Sequence, residues 1–358
     1  MTKILAFHLP QFHSFPENDE WWGKGFTEWV NVKKSKSLYK GHKQPNEPLN
    51  DYYYNLMDKE TRRWQAETAK KYGIYGFCYY HYWFDGRLLM EKPLEALLEE
   101  KDIDLPFCFC WANEPWTRAW DGRTSTVIMP QRYGGEKEWK EHIDYLMPFF
   151  RDDRYIKVDN KPMLVLYRTN NIDNCEQMIE YWNDVCKSEG FDGIHVAEEY
   201  NSFQQKPFCK NAEAMVDFEP LFTLRRQHTW KDNIDKALEH VRGKWLMKDA
   251  KSKLKAFSYK QIWSRIVKTE FHTDKPIYLG AYVDWDNTPR RGATGTVAVG
   301  ASPETFEHFF EIQYKRAQRM NSEFVFINAW NEWAEGAYLE PDKKNGVAYL
   351  EAIKRVVL

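Results

Sequence analysis

Glu332 and Glu335 stand three residues apart in Asn331-Glu-Trp-Ala-Glu-Gly336, directly after the apolar run Phe324-Val-Phe-Ile-Asn-Ala-Trp330. A buried apolar strand does not carry carboxylates, so a pair appearing where such a run ends belongs to a loop that the strand positions. Two neighbouring carboxyls are what glycosidic bond cleavage requires, one keeping its proton for the leaving oxygen and one ionised. Trp330 and Trp333 beside them offer apolar walls that raise a carboxyl pKa and flat faces that stack on sugar rings. The pair is therefore the candidate catalytic centre. Spacing alone does not say which Glu is the acid.

The rest of the chain repeats this mixture of rings and polar groups. Its 16 Trp, 21 Tyr and 22 Phe make up 16% of the residues, and many sit in polar company: Thr27-Glu-Trp29, Tyr79-Tyr-His-Tyr-Trp83, Trp111-Ala-Asn-Glu-Pro-Trp116 and Tyr282-Val-Asp-Trp285. Ring faces with hydrogen-bonding edges suit a carbohydrate cleft, so the expected partner is an oligo- or polysaccharide.

The elements that must position these groups are eight short apolar runs: Ile4–Phe7, Ile74–Tyr79, Pro106–Trp111, Pro162–Tyr167, Gly193–Ala197, Ala214–Phe218, Pro276–Tyr282 and Phe324–Ala329. Segments with helical spacing separate most of them, such as Phe306, Phe309, Phe310, Tyr314 and Ala317. Continuous apolar strands alternating with amphipathic helices predict a parallel sheet covered on both faces, and eight such units predict a single (β/α)8 TIM barrel. In that fold the site lies beyond the C-terminal strand ends. The polar residues follow the runs accordingly: His8 and Gln11 after the first, His81 after the second, Trp111, Asn113, Glu114 and Trp116 at and after the third, Glu198 and Tyr200 after the fifth. Glu219 follows the sixth, Asp284, Trp285 and Arg290 the seventh, and Asn331 and Trp333 flank the carboxylates of the eighth. With Trp29 of the first loop, these are the candidate substrate-binding residues. At least three of Trp29, Trp111, Trp116, Trp285 and Trp333 are expected around one cleft.

Bulk properties bound this reading. A chain of 358 residues suits one barrel domain over 1–358, with long βα loops and insertions at about 10–58 and 221–270, the second holding two helices. A net charge of −2 provides no field for nucleic acid or an anionic membrane. Cys78, Cys108 and Cys110 lie within apolar runs and no CxxC occurs, which favours reduced buried thiols over a zinc ribbon or redox motif. No metal or cofactor is expected. Neither a secretory leader nor 18 consecutive apolar residues is present, predicting a cytoplasmic protein without membrane insertion.

Phe7-His-Leu-Pro-Gln-Phe-His13, Asn18-Asp-Glu-Trp-Trp-Gly-Lys-Gly-Phe-Thr-Glu-Trp29, Gly76-Phe-Cys-Tyr-Tyr-His-Tyr-Trp-Phe84, Cys110-Trp-Ala-Asn-Glu114 and Phe326-Ile-Asn-Ala-Trp-Asn-Glu-Trp-Ala-Glu-Gly336 resemble the WbsX proteins. Those occur in bacterial surface-polysaccharide loci and are often labelled glycosyltransferases. They are similar in turn to glycoside hydrolase family 99, the endo-α-mannosidases and endo-α-mannanases, whose fold is a (β/α)8 barrel. That family's motif is Glu-Trp-His-Glu. The resemblance implies that Glu332 acts as a base on a sugar 2-hydroxyl, giving a 1,2-anhydro sugar, and that Glu335 is the acid/base for the leaving group. Ala334 stands where the family motif has His, a departure that touches substrate contacts and hence mannan specificity. The implied route needs a 2-hydroxyl trans to the leaving group, as in α-manno-configured sugars, α-rhamnose included.

Two other function classes fit parts of the chain. A glycosyltransferase would use a D-x-D pair to hold a divalent cation on a nucleotide sugar. Asp102-Ile-Asp104 precedes a strand, on the wrong face of a barrel, whereas Asp284-Trp-Asp286 follows one. Arg290 and Arg291 can clamp phosphate, sulfate or a uronate. No glycine-rich dinucleotide fingerprint or P-loop is present. The third class is a glycan-binding barrel without turnover, distinguished by binding that survives loss of any reaction.

Overall fold

The computed structural model describes residues 2–117, 126–226 and 254–358. Eight parallel strands carry the fold: β1 (Lys3–His8), β2 (Gly76–Phe84), β3 (Phe107–Trp111), β4 (Lys161–Leu166), β5 (His195–Tyr200), β6 (Ala214–Asp217), β7 (Ile277–Tyr282) and β8 (Phe324–Asn328). Each pairs with the next. The sheet then closes on itself, because β1 also pairs with β8, Lys3 opposite Phe324 through Ala6 opposite Ile327. The closed, eight-stranded parallel array with alternating helices is a (β/α)8 barrel, as the apolar runs predict. Closure removes both sheet edges, and the helices cover the outer face, so strands such as β2, β3 and β8 are buried at every residue.

The described helices are α1 (Pro16–Trp22), α2 (Glu28–Lys34), α3 (Lys59–Lys71), α4 (Lys92–Glu99), α5 (Glu136–Phe150), α6 (Cys175–Ser188), α7 (Leu221–Arg225), α8 (Tyr259–Ile266), α9 (Thr288–Arg291), α10 (Pro303–Arg319) and α11 (Ala348–Val357). Local sequence explains α10: the Ser302 hydroxyl accepts the Thr305 N–H, Pro303 occupies the first turn, and Phe306, Phe309, Phe310, Tyr314 and Ala317 form its buried stripe. The first loop carries α1 and α2. Most of the insertion expected at about 221–270 falls on 227–253, outside the described residues.

Aromatic rings fill the barrel. Phe7 stacks on Tyr80 with ring centres 5.6 Å apart and meets Phe218 at 5.1 Å and Phe326 at 5.4 Å, joining β1, β2, the end of β6 and β8. Gly280 of β7 is required by space, since a Cβ there would lie 1.8 Å from the Asp217 carbonyl oxygen. All six cysteines are buried free thiols. No helix among the described residues is long and apolar enough to cross a membrane.

Alternation along the strands then decides what each side chain can do. Successive residues point to opposite faces. With Phe7 and Tyr80 facing inward, His8 and His81 face the helices. His8 Nε2 meets Gln65 of α3 at 3.1 Å, and His81 Nε2 meets His142 of α5 at 2.9 Å. Trp111 likewise points outward, its ring 4.6 Å from that of His142. On β5, Glu199 faces inward, with an oxygen 3.8 Å from Cys110 Sγ, and Glu198 and Tyr200 face out. The expectation that strand-end polar residues all serve one cleft is corrected for these side chains, because the strands continue through them instead of ending before them.

Candidate active site

Both carboxylates leave β8 on a short antiparallel ribbon, Asn331–Glu332 against Ala337–Tyr338, closed by a turn over Trp333–Glu335. Gly336 ends that turn at φ 68°, where a Cβ would lie 2.8 Å from Asp286 N. Asn331 anchors the ribbon to the end of β1, accepting the Leu9 N–H at 2.7 Å and donating to the Leu9 carbonyl at 3.0 Å. Trp333 stacks on Tyr338 at 3.9 Å and donates its indole N–H to Glu340 at 2.6 Å. These contacts hold the turn rigid without entering the cleft.

Arg290 organises the centre. It projects from α9, whose first turn is tied down by Asp286: this carboxylate accepts the Thr288 N–H at 3.0 Å and meets His42 Nε2 at 2.8 Å and Gln44 Nε2 at 2.6 Å. The Arg290 guanidinium contacts Glu332 at 2.8 Å, Glu335 at 2.6 Å and Glu28 of α2 at 3.3 Å. One planar fork thus sets the two strand-eight carboxylates side by side, a geometry that lysine cannot reproduce. They open onto a cleft of about 550 Å³ lined also by Tyr80, Tyr82, Glu114, Trp116, Tyr167 and Phe218.

Three carboxylates share one cation, so full ionisation leaves uncompensated negative charge in a buried site. Burial pushes the Glu332 carboxyl up to about 8; Glu335 and Glu28 push the same way, against the pull of Arg290. Burial also opposes charge on Arg290, but its carboxylate neighbours hold it protonated, well above its ordinary range. The cluster therefore retains a proton near neutral pH, the property a general acid needs. Removing the Glu28 charge takes away one upward push on Glu332. The limb of the turnover–pH profile belonging to this cluster is accordingly expected to move to lower pH in Glu28→Gln; a profile identical to that of the unaltered protein would separate this cluster from the rate.

The structure brings Glu114, Trp116, Arg290, Glu332 and Glu335 together. Glu114 pairs with Arg168 at 3.4 Å, and burial raises its pKa. Gln11 lines an adjoining cavity with Trp116 and Arg290. The other expected contacts lie elsewhere. Asn113 clamps a loop through the Arg168 N–H and carbonyl, at 2.8 and 2.9 Å. Glu198 is saturated by Thr169, Gln204 and the Phe208 N–H, Tyr200 stacks on Phe222 at 5.5 Å, and Glu219 accepts the Thr223 N–H and hydroxyl at the start of α7. Trp29 packs on Trp333 at 5.3 Å, and Trp285 is buried with its carbonyl accepting the Ala298 N–H. At least three of the five tryptophans are expected around one cleft, but only Trp116 of them lines it; the other four are buried against the rest of the protein, where their large apolar faces gain more. Asp284 opens into a separate cavity of about 1190 Å³ with Tyr39, Lys344 and Tyr349, where burial pushes its carboxyl up to about 7. Its D-x-D partner Asp286 is occupied by His42, Gln44 and Thr288.

Tyr80, Tyr82, Tyr167 and Glu28 were not among the expected site residues. Parity was the available signal: in Tyr79-Tyr-His-Tyr-Trp83 a choice of His81 excludes Tyr80 and Tyr82, which share the face of Phe7.

The profile of the family described as Glycosyltransferase WbsX matches residues 4–353. The "Uncharacterized protein WxcX" of Xanthomonas campestris pv. campestris strain B100 is 35% identical over 359 residues, covering 99% of this chain and 50% of its own length. A second WxcX, from strain ATCC 33913, is 34% identical with the same coverage. This chain thus spans about half the length of the curated relatives it matches. Among solved structures, a "Glycoside hydrolase-like protein" superposes with a TM-score of 0.61 at 11% identity, covering 99% of this chain and 94% of that one. The family 99 endo-alpha-mannosidase of Bacteroides thetaiotaomicron gives 0.54 at 14%, covering 99% and 96%. Likeness at such identities is a likeness of fold. The match along nearly the whole sequence is more specific, and by it the chain belongs to the WbsX family.

Proposed function

We propose that this chain is a glycoside hydrolase acting on α-manno-configured linkages, mannose- or rhamnose-type, of a bacterial polysaccharide. The carrying observation is the pair Glu332 and Glu335, bridged by one guanidinium at the C-terminal mouth of the barrel and facing a cleft with tyrosine and tryptophan walls. The cluster retains a proton for the leaving oxygen, and Arg290 offsets the charge left after its transfer. The barrel likeness to glycoside hydrolases supports the reading at the level of fold. Ala334 is completely buried, so the turn presents no side chain there to substrate; selection among α-manno sugars falls to the remaining cleft walls.

The route we assign forms a 1,2-anhydro sugar: one carboxylate takes the 2-hydroxyl proton, the 2-oxygen attacks the anomeric carbon, and the other carboxyl protonates the departing oxygen. Water then opens the ring. A substrate methylated at the 2-oxygen has no internal nucleophile and is expected to bind without turning over. The test compares α-mannosyl and α-rhamnosyl oligosaccharides with their 2-O-methyl counterparts, without nucleotide and with chelator present. Rapid cleavage of the methylated compounds, or a sugar trapped covalently on Glu332, excludes this route; turnover that depends on a nucleotide sugar and a divalent cation identifies a transferase instead, and glycan binding without any turnover a binding barrel.

A further inference from the structure

The strand-eight turn is a wall between two spaces. Glu335 lines the catalytic cleft, and the next residue, Gly336, lines the cavity of about 1190 Å³ that holds Asp284. The loop after β7 completes the partition, with the Asp286 N–H donating to the Glu335 carbonyl at 2.6 Å. This second space is the larger, since the cleft measures about 550 Å³. Its opposite side is a stretch of the first loop, Tyr39 to Lys43. The two-carboxylate chemistry makes no use of it.

The charges around this cavity are unequal. Lys40, Lys43 and Lys344, all exposed, line it, and among the described residues the only carboxylates that do so are Asp284 and Asp286. Asp286 is taken up by His42, Gln44 and Thr288. Burial pushes the Asp284 carboxyl up to about 7, against the pull of Lys344 and the Trp285 N–H, while Asp286 and Asp342 push it further up. The acids nearby have partners of their own: Asp342 accepts from the Tyr338 hydroxyl at 2.7 Å, and Glu47 and Asp51 pair with Lys343. Below neutral pH, three ammonium groups therefore face one concave wall without a free carboxylate among its lining residues, which concentrates positive potential there. The same charges repel a divalent cation from Asp284-Trp-Asp286. The wall also carries what a sugar ring uses and a bare ion does not: the Tyr39 ring, stacked on His42 with centres 4.6 Å apart, and the phenol of Tyr349.

Going beyond the hydrolase reading, we propose that this cavity is a second glycan site that takes an acidic sugar, its carboxylate or phosphate among Lys40, Lys43 and Lys344 and its ring against Tyr39 and Tyr349. The experiment measures binding to the full chain by saturation-transfer NMR at about pH 6, below the range in which Asp284 ionises. The probes are methyl α-glucuronide and mannose 6-phosphate, their neutral parents methyl α-glucoside and mannose, inorganic phosphate, and GDP-mannose. At least one acidic sugar is expected to bind about fivefold or more tighter than its neutral parent, with the advantage shrinking as salt rises, and the tighter of the two identifies the acid group. Lys40→Ala, Lys43→Ala and Lys344→Ala combined should abolish that advantage. Lys187→Ala, the same kind of change on the remote helix α6, should keep it. Neutral parents binding as tightly, or an equal loss in Lys187→Ala, would overturn the site. Inorganic phosphate matching both acidic sugars would reduce it to a simple anion site, and GDP-mannose surpassing them would make it a nucleotide site; either result overturns the glycan assignment. Because the readout is binding, it holds whichever reaction Glu332 and Glu335 perform, and loss of the hydrolase reading would leave these affinities as measured.

Discussion

Replacing Glu332 or Glu335 with Gln is expected to lower turnover about 10³-fold or more while the protein melts within a few degrees of its unaltered form. Gln keeps the shape of each side chain and an oxygen for Arg290 to donate to, so the ribbon of Asn331–Glu332 and Ala337–Tyr338 and its anchorage on Leu9 are retained. What is lost is proton transfer. Because the two groups work on one bond, the double variant should cost little more than the worse single one, as is usual for residues acting as a unit. Initial rates on an α-manno-configured oligosaccharide, with melting curves alongside, check both halves. Near-normal turnover by either variant would move the chemistry to another part of the barrel.

The eight strands were legible because a doubly covered parallel strand is written as a continuous apolar run, and a run needs no partner to be recognised. Glu332 and Glu335 were legible for the converse reason: polar groups interrupt such a run only where it ends. What failed was finer. His8, His81, Trp111, Glu198 and Tyr200 were assigned to the cleft by their position near strand ends, yet each lies on the helix-facing side. Run lengths do not fix parity, and an error of one residue turns a side chain through the sheet. Glu28 is not legible in the sequence for a different reason. It stands 262 residues from Arg290, and no periodicity in a sequence records which loop lies across from which. The sequence presents Arg290 as a cation on the site face, suited to an anionic substrate group; in the structure its carboxylate partners are the protein's own.

Removing that cation tests the cluster most severely. Arg290→Met is expected to destabilise the protein by about 3–5 kcal/mol at pH 7.5, the range for a buried charge network stripped of one partner, because Glu28, Glu332 and Glu335 would then face one another with no guanidinium between them. The loss should depend on pH in a definite direction. In the variant, Glu332 loses the downward pull of Arg290 and keeps the upward push of burial and of its carboxylate neighbours, so its carboxyl stays above the ordinary glutamate value of about 4.3 that applies in the unfolded chain. Between those two values the folded state binds more protons than the unfolded state, so stability falls as pH rises through the folded values and is regained on acidification. Urea unfolding at pH 7.5 and 5.5 should accordingly show the gap between variant and unaltered protein narrowing at the lower pH. Arg290→Lys restores the charge without the planar fork; it is expected to recover much of the stability at pH 7.5 but not the turnover, since a single ammonium cannot hold both strand-eight carboxylates in one plane. A variant as stable as the unaltered protein at both pH values would mean that the three carboxylates find other partners, and the shared-cation account of the site would fall with it.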